Sequence, residues 1–378
     1  MSTSRRRQLN IGRTKPLVLH VVEAYGGGVA AVLTDYVASL PDVEHVVLAY
    51  RRPGSQIGNG LHGRAELIDL PSGKLAQLRA VQRTVRRLRP DVIHAHSSYA
   101  GGYVRAACRT YGARIVYSPH CYAFQRRDVP GVVRAGYWAM EAGLSFRTDA
   151  VAAVGAWEQV LAHKLPRPRT VVLVPHHVQL PMDLITSVDS DGGPVVAVGR
   201  IRPQKDPAFF AAAARDARLL GGNREWRWVG GGDTHLEQLL RDSGVTVTGW
   251  QPRETVLREL AGAHAYVHTA AWEGNPVTVL EAATVGLPIV ARDIPPVRHA
   301  GVDRLAATPI DLAQQVLALD DLDRWRSAMK ESADFVSRTA ATSQASALRQ
   351  LYGMEAGRGS KAAIDAGDAS PARFTASL

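Results

Sequence analysis

The chain has 378 residues, more than one hydrophobic core ordinarily organises, so two domains with a remainder are expected. Hydrophobic residues make up 46% and charged residues 21%, which excludes a mainly disordered chain, and two cysteines, Cys108 and Cys121, exclude a disulfide framework or a four-thiolate metal site. A net charge of +10, with fourteen Lys and Arg against six Asp and Glu in residues 1–90, favours anionic partners.

The cysteine usage fits a reducing cytoplasm. Behind Arg5, Arg6 and Arg7, the first apolar run, Leu17 to Val22, is too short for a signal-peptide core. No segment approaches the roughly 20 apolar residues that cross a bilayer, so any membrane contact is expected to be peripheral.

Leu17 to Val22 predicts a short buried strand, Gly26-Gly27-Gly28 a turn, and Val29 to Leu40 a helix. The pattern repeats with strands at 44–50, 91–95 and 114–117 and helices at 74–88 and 102–111. It continues with a strand at 150–154, a helix through Leu161 and a strand at 170–174. Strands alternating with helices imply a parallel sheet covered on both faces. Residues 181–193, with Asp189-Ser190-Asp191-Gly192-Gly193, predict a linker.

A second alternating series begins at Pro194. Strands are expected at 195–198, 225–229, 245–248, 265–269 and 288–291, with helices at 207–219, from Thr234, at 254–261 and at 276–285. Thr234 and Glu237 have the spacing of a capping box. The remaining helices are placed at 309–319, 321–335 and 337–352, the last packing back on the first domain. The Ala-, Gly- and Ser-rich tail, 353–378, is expected to be disordered.

The densest chemical signal is Trp272-Glu273-Gly274-Asn275-Pro276-Val277-Thr278-Val279-Leu280-Glu281-Ala282. It sets one carboxylate before a helix and another inside it, with Asn275 able to cap and Pro276 suited to the first turn. Free backbone N–H groups and positive potential at such an N-terminus hold phosphate or sugar oxygens, while carboxylates accept hydroxyl hydrogen bonds. Taken singly, Glu273 reads more readily as a helix-dipole partner and Glu281 as a surface ion pair. The second signal is Val198-Gly199-Arg200-Ile201-Arg202-Pro203-Gln204-Lys205-Asp206, a strand ending in glycine with two cations in the turn beyond it. Ligands bind at the strand ends of open parallel sheets, and a guanidinium with an ammonium suits a diphosphate, although two solvated cations are the plainer alternative.

These two segments, some seventy residues apart, resemble those of retaining "family 4" glycosyltransferases with the GT-B architecture. Gly26-Gly27-Gly28-Val29, Asp91 to Ser98 and Val116-Tyr117-Ser118-Pro119-His120 add to the likeness, which covers roughly residues 16–352. The resemblance implies two Rossmann-like domains, 1–180 binding the acceptor and 194–336 the donor, facing across a cleft. It further implies that Arg200 and Lys205 bind the donor diphosphate without a metal, and that Glu281 takes ribose hydroxyls. Glu273 would lie near the transferred sugar, with Gly274, Asn275, Pro276 and Val277 completing the pocket. His120 would reach across the cleft, and Gly27 and Gly28 would lie near the phosphates and the acceptor.

No cofactor is implied. The donor would be a UDP-, GDP- or ADP-sugar, and the acceptor a saccharide or lipid-linked intermediate of a bacterial surface polysaccharide or glycolipid. Nucleic acid is not expected as a partner. A small-metabolite glycosyltransferase, a nucleotide-sugar epimerase or hydrolase, and a non-catalytic nucleotide-sugar sensor remain alternatives. The sequence departs from the family at Gly155, where serine is common, and at His176-His177, where Asn-Gly is common; Glu158 is retained.

Other signals favour plainer readings. Asp189/Asp191 and Asp321/Asp323 are Asp-x-Asp strings better read as solvated and capping residues. His94 and His96 lack a third metal ligand at sensible spacing. Neither Gly26-Gly27-Gly28 nor Gly230-Gly231-Gly232 carries the dinucleotide fingerprint. The basic helix Lys74 to Arg89, with Arg79, Arg83, Arg86 and Arg87, is either a solvated face or a contact for an anionic membrane surface.

Overall fold

A computed structural model gives the fold and describes residues 13–51, 61–167, 170–176, 193–340 and 344–354. Most of the expected linker, His177 and residues 355–378 of the tail lie outside the described residues, as do Arg5 to Arg7, Asp189 and Asp191.

The first sheet contains β1 (Leu17–Tyr25), β2 (Glu44–Arg51), β3 (Glu66–Asp69), β4 (Val92–His96), β5 (Arg114–Ser118), β6 (Ala150–Ala153) and β7 (Val171–Leu173). Their spatial order is β3-β2-β1-β4-β5-β6-β7, with every pair parallel. Its helices are α1 (Gly27–Ser39), α2 (Lys74–Leu88), α3 (Ser97–Gly102), α4 (Gly131–Ser145) and α5 (Ala156–His163). The second sheet contains β8 (Val195–Val198), β9 (Trp226–Val229), β10 (Thr246–Val247), β11 (Ala265–His268), β12 (Ile289–Arg292) and β13 (Leu305–Ala306). It is ordered β10-β9-β8-β11-β12-β13, again parallel throughout. Its helices are α6 (Pro207–Leu219), α7 (Thr234–Asp242), α8 (Arg253–Ala261), α9 (Val277–Thr284), α10 (Pro295–Ala300), α11 (Pro309–Leu317) and α12 (Leu322–Ala340).

The inner strands of both sheets are buried on both faces, which is why they read as continuous apolar runs. In β8, Val195 and Ala197 enter one core cluster while Val196 and Val198 enter the other, as the two-residue strand period requires. In β1, Leu17, Leu19 and Val21 pack on one face, with Val18 and Val22 on the other. His20 stands between the last two, fully buried.

The preceding helix runs on to Ala340, past the break expected at residue 337, and the last described helix is α13 (Gln344–Tyr352). It lies against the first domain. Ser39 Oγ donates to Gln344 Oε1 at 2.6 Å, Gln344 Nε2 donates to Pro175 O at 2.8 Å, and Leu348, Leu351 and Tyr352 join the core beside Val18.

Three local differences have physical causes. The helix expected at 102–111 is instead α3 followed by a wider π turn, Tyr103–Ala107, which turns Arg105 inward. There the guanidinium meets Glu141 at 2.9 and 3.2 Å and lies 3.6 Å from the Tyr117 ring centroid. In α7 the cap is Asp233, which accepts from His235 N and Leu236 N, while Glu237 accepts from Gly232 N. Strand β3 and helix α4 lie outside the expected pattern of elements, and both carry much of their surface to solvent.

Candidate active site

In each sheet the strand order reverses beside the first strand, between β1 and β4 and between β8 and β11. Loops leaving the carboxyl ends at such reversals form the ligand crevice of open α/β sheets. Here those loops are Gly26 to Gly28 and Ser97 in one sheet, and Gly199 to Lys205 and Thr269 to Pro276 in the other.

Lys205 and Glu273 meet at these ends. Lys205 Nζ lies 2.6 Å from Glu273 Oε2, and Gln204 Nε2 and Gly274 N donate to Glu273 Oε1 at 3.3 and 3.2 Å. Thr269 Oγ1 and Ala271 N fix the lysine turn by donating to the carbonyls of Lys205 and Gln204. Gly199, at φ +144°, lets the Lys205 stem pass: an added Cβ would lie 3.3 Å from Lys205 Cε. Burial alone would raise the Glu273 carboxyl, but the Lys205 ammonium and its hydrogen bond reverse this and hold it below the usual carboxylate range.

The loop that follows Glu273 touches two loops of the other domain, and the start of α9 approaches the start of α1. A Cβ on Gly274 would come within 2.7 Å of Cys121 N and 3.0 Å of His120 C. Asn275 Nδ2 donates to Val154 O at 2.6 Å. Val277 lies 3.9 Å from where a Gly28 Cβ would be. Asn275 therefore does not cap α9; Pro276 occupies the N-cap position, and the amide bridges the domains. The departure at Gly155 fits this bridge, because a Cβ there would sit 3.2 Å from Asn275 Cβ.

His120 sits just beyond β5, at φ +50°, with its Nε2 3.0 Å from His96 Nδ1. Burial, with His176 alongside, pushes its imidazole down to about 3, so it is neutral at physiological pH. Arg200 stands exposed at the rim, its guanidinium 5.4 Å from the Trp250 ring centroid. Glu281 is engaged apart from the Lys205 pair, with Arg253 at 3.0 Å. Burial raises its carboxyl, Arg253 opposes this, and Asp35 from α1 adds to it. Gly27 opens α1 and Gly28 follows it at the crevice.

Several participants carry no motif of their own. Gln204 and Arg253 hold the two glutamates. Glu158 is fully enclosed and accepts from Cys121 N and Val154 N, both at 2.8 Å, so one carboxylate shapes two of the loops that meet Gly274 and Asn275. Burial raises it to about 7 against those two N–H donors. The signal for Glu158 was its retained place in the family pattern; Gln204 lay within the Val198 to Asp206 stretch but was given no role, and for Arg253 there was no signal.

Asp321 accepts from Arg324 N at 3.0 Å as a helix cap, and Asp323 is exposed beside Arg326. The basic face of α2 is solvated, with Arg79, Arg83, Arg86 and Arg87 exposed. A cavity of about 830 Å³ lined by Arg13, Lys15, His45 and Arg64 lies at the opposite, amino ends of β1 and β2. It is therefore remote from the strand ends where the loops converge.

Residues 26–180 match the family described as Glycosyltransferase Family 4, and residues 193–321 match Glycosyl transferases group 1. The chain belongs to this glycosyltransferase family. The chain is 24% identical over 244 residues to the UDP-Gal:alpha-D-GlcNAc-diphosphoundecaprenol alpha-1,3-galactosyltransferase of Escherichia coli, spanning 58% of this chain and 62% of that one. An uncharacterized 41.2 kDa protein in the cps region of Klebsiella pneumoniae is 21% identical over 73% of this chain and 81% of its own length. Among solved structures, Anabaena Alr3699/HepE in complex with UDP and glucose superposes with a TM-score of 0.70 at 17% identity, over 89% of this chain and all of that one. Sucrose-phosphate synthase from Thermosynechococcus elongatus gives 0.71 at 15% identity, over 89% and 98%. These likenesses give the fold as GT-B.

Proposed function

We propose that this glycosyltransferase moves a hexosyl group from a nucleotide-sugar to a lipid-linked saccharide in the assembly of a bacterial surface polysaccharide or glycolipid, with retention at the anomeric carbon. The observation that carries the reading is the Lys205–Glu273 pair at the strand ends, closed over by Gly274 against His120 and Cys121. The names of the E. coli and Anabaena proteins support a UDP-sugar donor and a diphosphate-lipid acceptor.

In this reading Arg200 and Lys205 balance the diphosphate charge in place of a metal, and Glu273 and Glu281 accept hydroxyl hydrogen bonds from sugar and ribose. The acceptor hydroxyl attacks the anomeric carbon on the face from which the diphosphate departs. The bond from that carbon to the phosphate oxygen breaks, the bond to the acceptor oxygen forms, and the hydroxyl proton passes to the departing phosphate. Contact between the loops of the two domains excludes the water that would hydrolyse the donor.

Peripheral contact with an anionic membrane, from the cytoplasmic side, belongs to the same proposal. Helix α4 exposes Val132, Trp138 and Met140, followed by Phe146. At the start of the basic helix α2, Lys74 lies 2.9 Å from the centroid of the exposed Tyr99 ring. Apolar and cationic side chains together suit a lipid interface.

The test is a panel of UDP-, GDP- and ADP-hexoses, scored by thermal stabilisation and then by transfer to a polyprenyl-diphosphate saccharide, with the product anomer assigned by NMR. One donor should raise the melting temperature and yield an EDTA-insensitive product of unchanged anomeric configuration. Donor isomerisation, stoichiometric free sugar, or binding without turnover would each displace the proposal.

A further inference from the structure

Four histidines from four neighbouring strands form one hydrogen-bonded line across the first domain. His45 on β2, His20 on β1, His96 at the end of β4 and His120 just after β5 follow the order of those strands in the sheet. The contacts are His120 Nε2 to His96 Nδ1 at 3.0 Å, His96 Nε2 to His20 Nδ1 at 3.1 Å and His20 Nε2 to His45 Nδ1 at 3.1 Å. The line ends where His45 Nε2 meets the backbone carbonyl of Leu40 at 3.1 Å. Ring centroids along it are 5.3 to 5.4 Å apart, the spacing of imidazoles that meet edge to edge through their nitrogens.

The carbonyl gives this line a direction. It can only accept, so His45 Nε2 carries a proton, and in a neutral ring Nδ1 is then bare. Bare Nδ1 of His45 requires a proton on His20 Nε2, which leaves His20 Nδ1 bare and requires a proton on His96 Nε2. The same step requires a proton on His120 Nε2 and leaves His120 Nδ1 bare. Burial holds all four imidazoles below their ordinary values, which keeps each ring neutral. Among the described residues, His120 uses only Nε2 in a hydrogen bond, and its side chain is partly exposed.

We propose that His96, His20 and His45 are positioning residues that lock His120, from the Leu40 carbonyl, in its Nε2–H tautomer, so that the ring offers the cleft a bare Nδ1. Resting on the function proposed above, this makes His120 an acceptor for a sugar hydroxyl rather than a donor to phosphate. A metal is the competing use of the cluster. Nitrogens of His20, His94 and His96 do come within 4.8 Å of one another, so the neighbouring strand β1 supplies the third imidazole that sequence spacing did not reveal. Every one of those nitrogens already has a partner, however: His94 binds Tyr352 Oη and Ser118 Oγ, both at 2.9 Å, and stacks on His96 with centroids 4.1 Å apart.

The test starts with the full-length protein free of donor, labelled with ¹⁵N-histidine. Long-range ¹H–¹⁵N spectra at neutral pH should show His120, His96, His20 and His45 each protonated on Nε2 alone, with nitrogen–nitrogen couplings through the three bonds. A proton on His120 Nδ1, a charged His120, or stoichiometric metal by elemental mass spectrometry overturns the proposal. A second arm acts at the far end of the line. His45→Leu removes the imidazole that links His20 to the Leu40 carbonyl, so a reversed line can compete: His120 should then show two tautomers, and kcat/KM should fall several-fold. His45→Gln keeps an acceptor oxygen towards His20 and an N–H towards Leu40, and should restore both. A folded His45→Leu protein with a single His120 tautomer also overturns the proposal; should that variant not fold, the unmodified protein's spectrum decides. Failure of nucleotide-sugars to bind would reject the function proposed above while leaving the spectrum of the free protein as described.

Discussion

Replacing Gly274 by alanine tests whether the two domains react in the contact seen here. The new Cβ would lie 2.7 Å from Cys121 N, 3.0 Å from His120 C and 3.2 Å from Cys121 Cα, all backbone atoms that cannot swing aside. Restoring ordinary contact requires the loops to part by about 0.7 Å, and because displacement on the order of 1 Å can cost roughly 100-fold in rate, kcat should fall about 10- to 100-fold. Donor binding should survive, since Lys205 and Glu273 both belong to the second domain and their contact crosses no boundary. Steady-state transfer kinetics combined with donor-induced thermal stabilisation separates the two effects. Gly136→Ala, on α4 with nothing within 4 Å of the added Cβ, serves as the matched substitution and should leave kcat unchanged. A Gly274→Ala enzyme with unaltered kcat would refute the idea that catalysis occurs with these loops in contact.

Other perturbations follow from the same geometry. Lys205→Met removes the ammonium that holds the Glu273 carboxyl down against burial, so donor affinity should weaken and the acidic limb of the pH–rate profile should move to higher pH. Glu158 has a native pKa of about 7 against an ordinary 4.5, so the neutral acid favours folding: its contribution is complete below pH 4.5 and is lost as pH rises through 7. Glu158→Gln should remove up to about 3 kcal/mol of that pH dependence, read from urea midpoints across the range. Glu141→Gln leaves the buried Arg105 guanidinium without its counter-charge and should cost about 3 kcal/mol in urea unfolding, with Arg105→Met/Glu141→Leu costing less than the single change.

The alternation of strands and helices was legible because parallel strands buried on both faces are short apolar runs, and Val195 to Val198 or Ile289 to Ala291 admit few other readings. Elements that bury little left little trace. Glu66–Asp69 is an edge strand with mostly exposed side chains, and Gly131–Ser145 turns Val132, Trp138 and Met140 outward, so neither is the buried run or buried stripe that marks the other elements. The π turn at Tyr103–Ala107 depends on Glu141, 36 residues beyond Arg105, and no window on the chain contains both.

The site divides along the same line. Lys205 and Glu273 were legible because each lies in a compact stretch whose strand, glycine and turn are consecutive residues, and the sheet then brings β8 beside β11. Asn275 was misread for the converse reason. A residue before a helix is a cap by local rule, but Gly155, 120 positions earlier, leaves room for the Asn275 amide to donate from Nδ2 to Val154 O across the domains, and the N-cap position falls to Pro276 instead. The histidines carry this furthest. His94 and His96 looked like a pair without a third member because spacing along the chain is blind to register across a sheet, and it is register that sets His20 opposite His94. What a ring nitrogen can do at the cleft is then decided by a carbonyl at Leu40, eighty residues away in sequence and four imidazoles away in space.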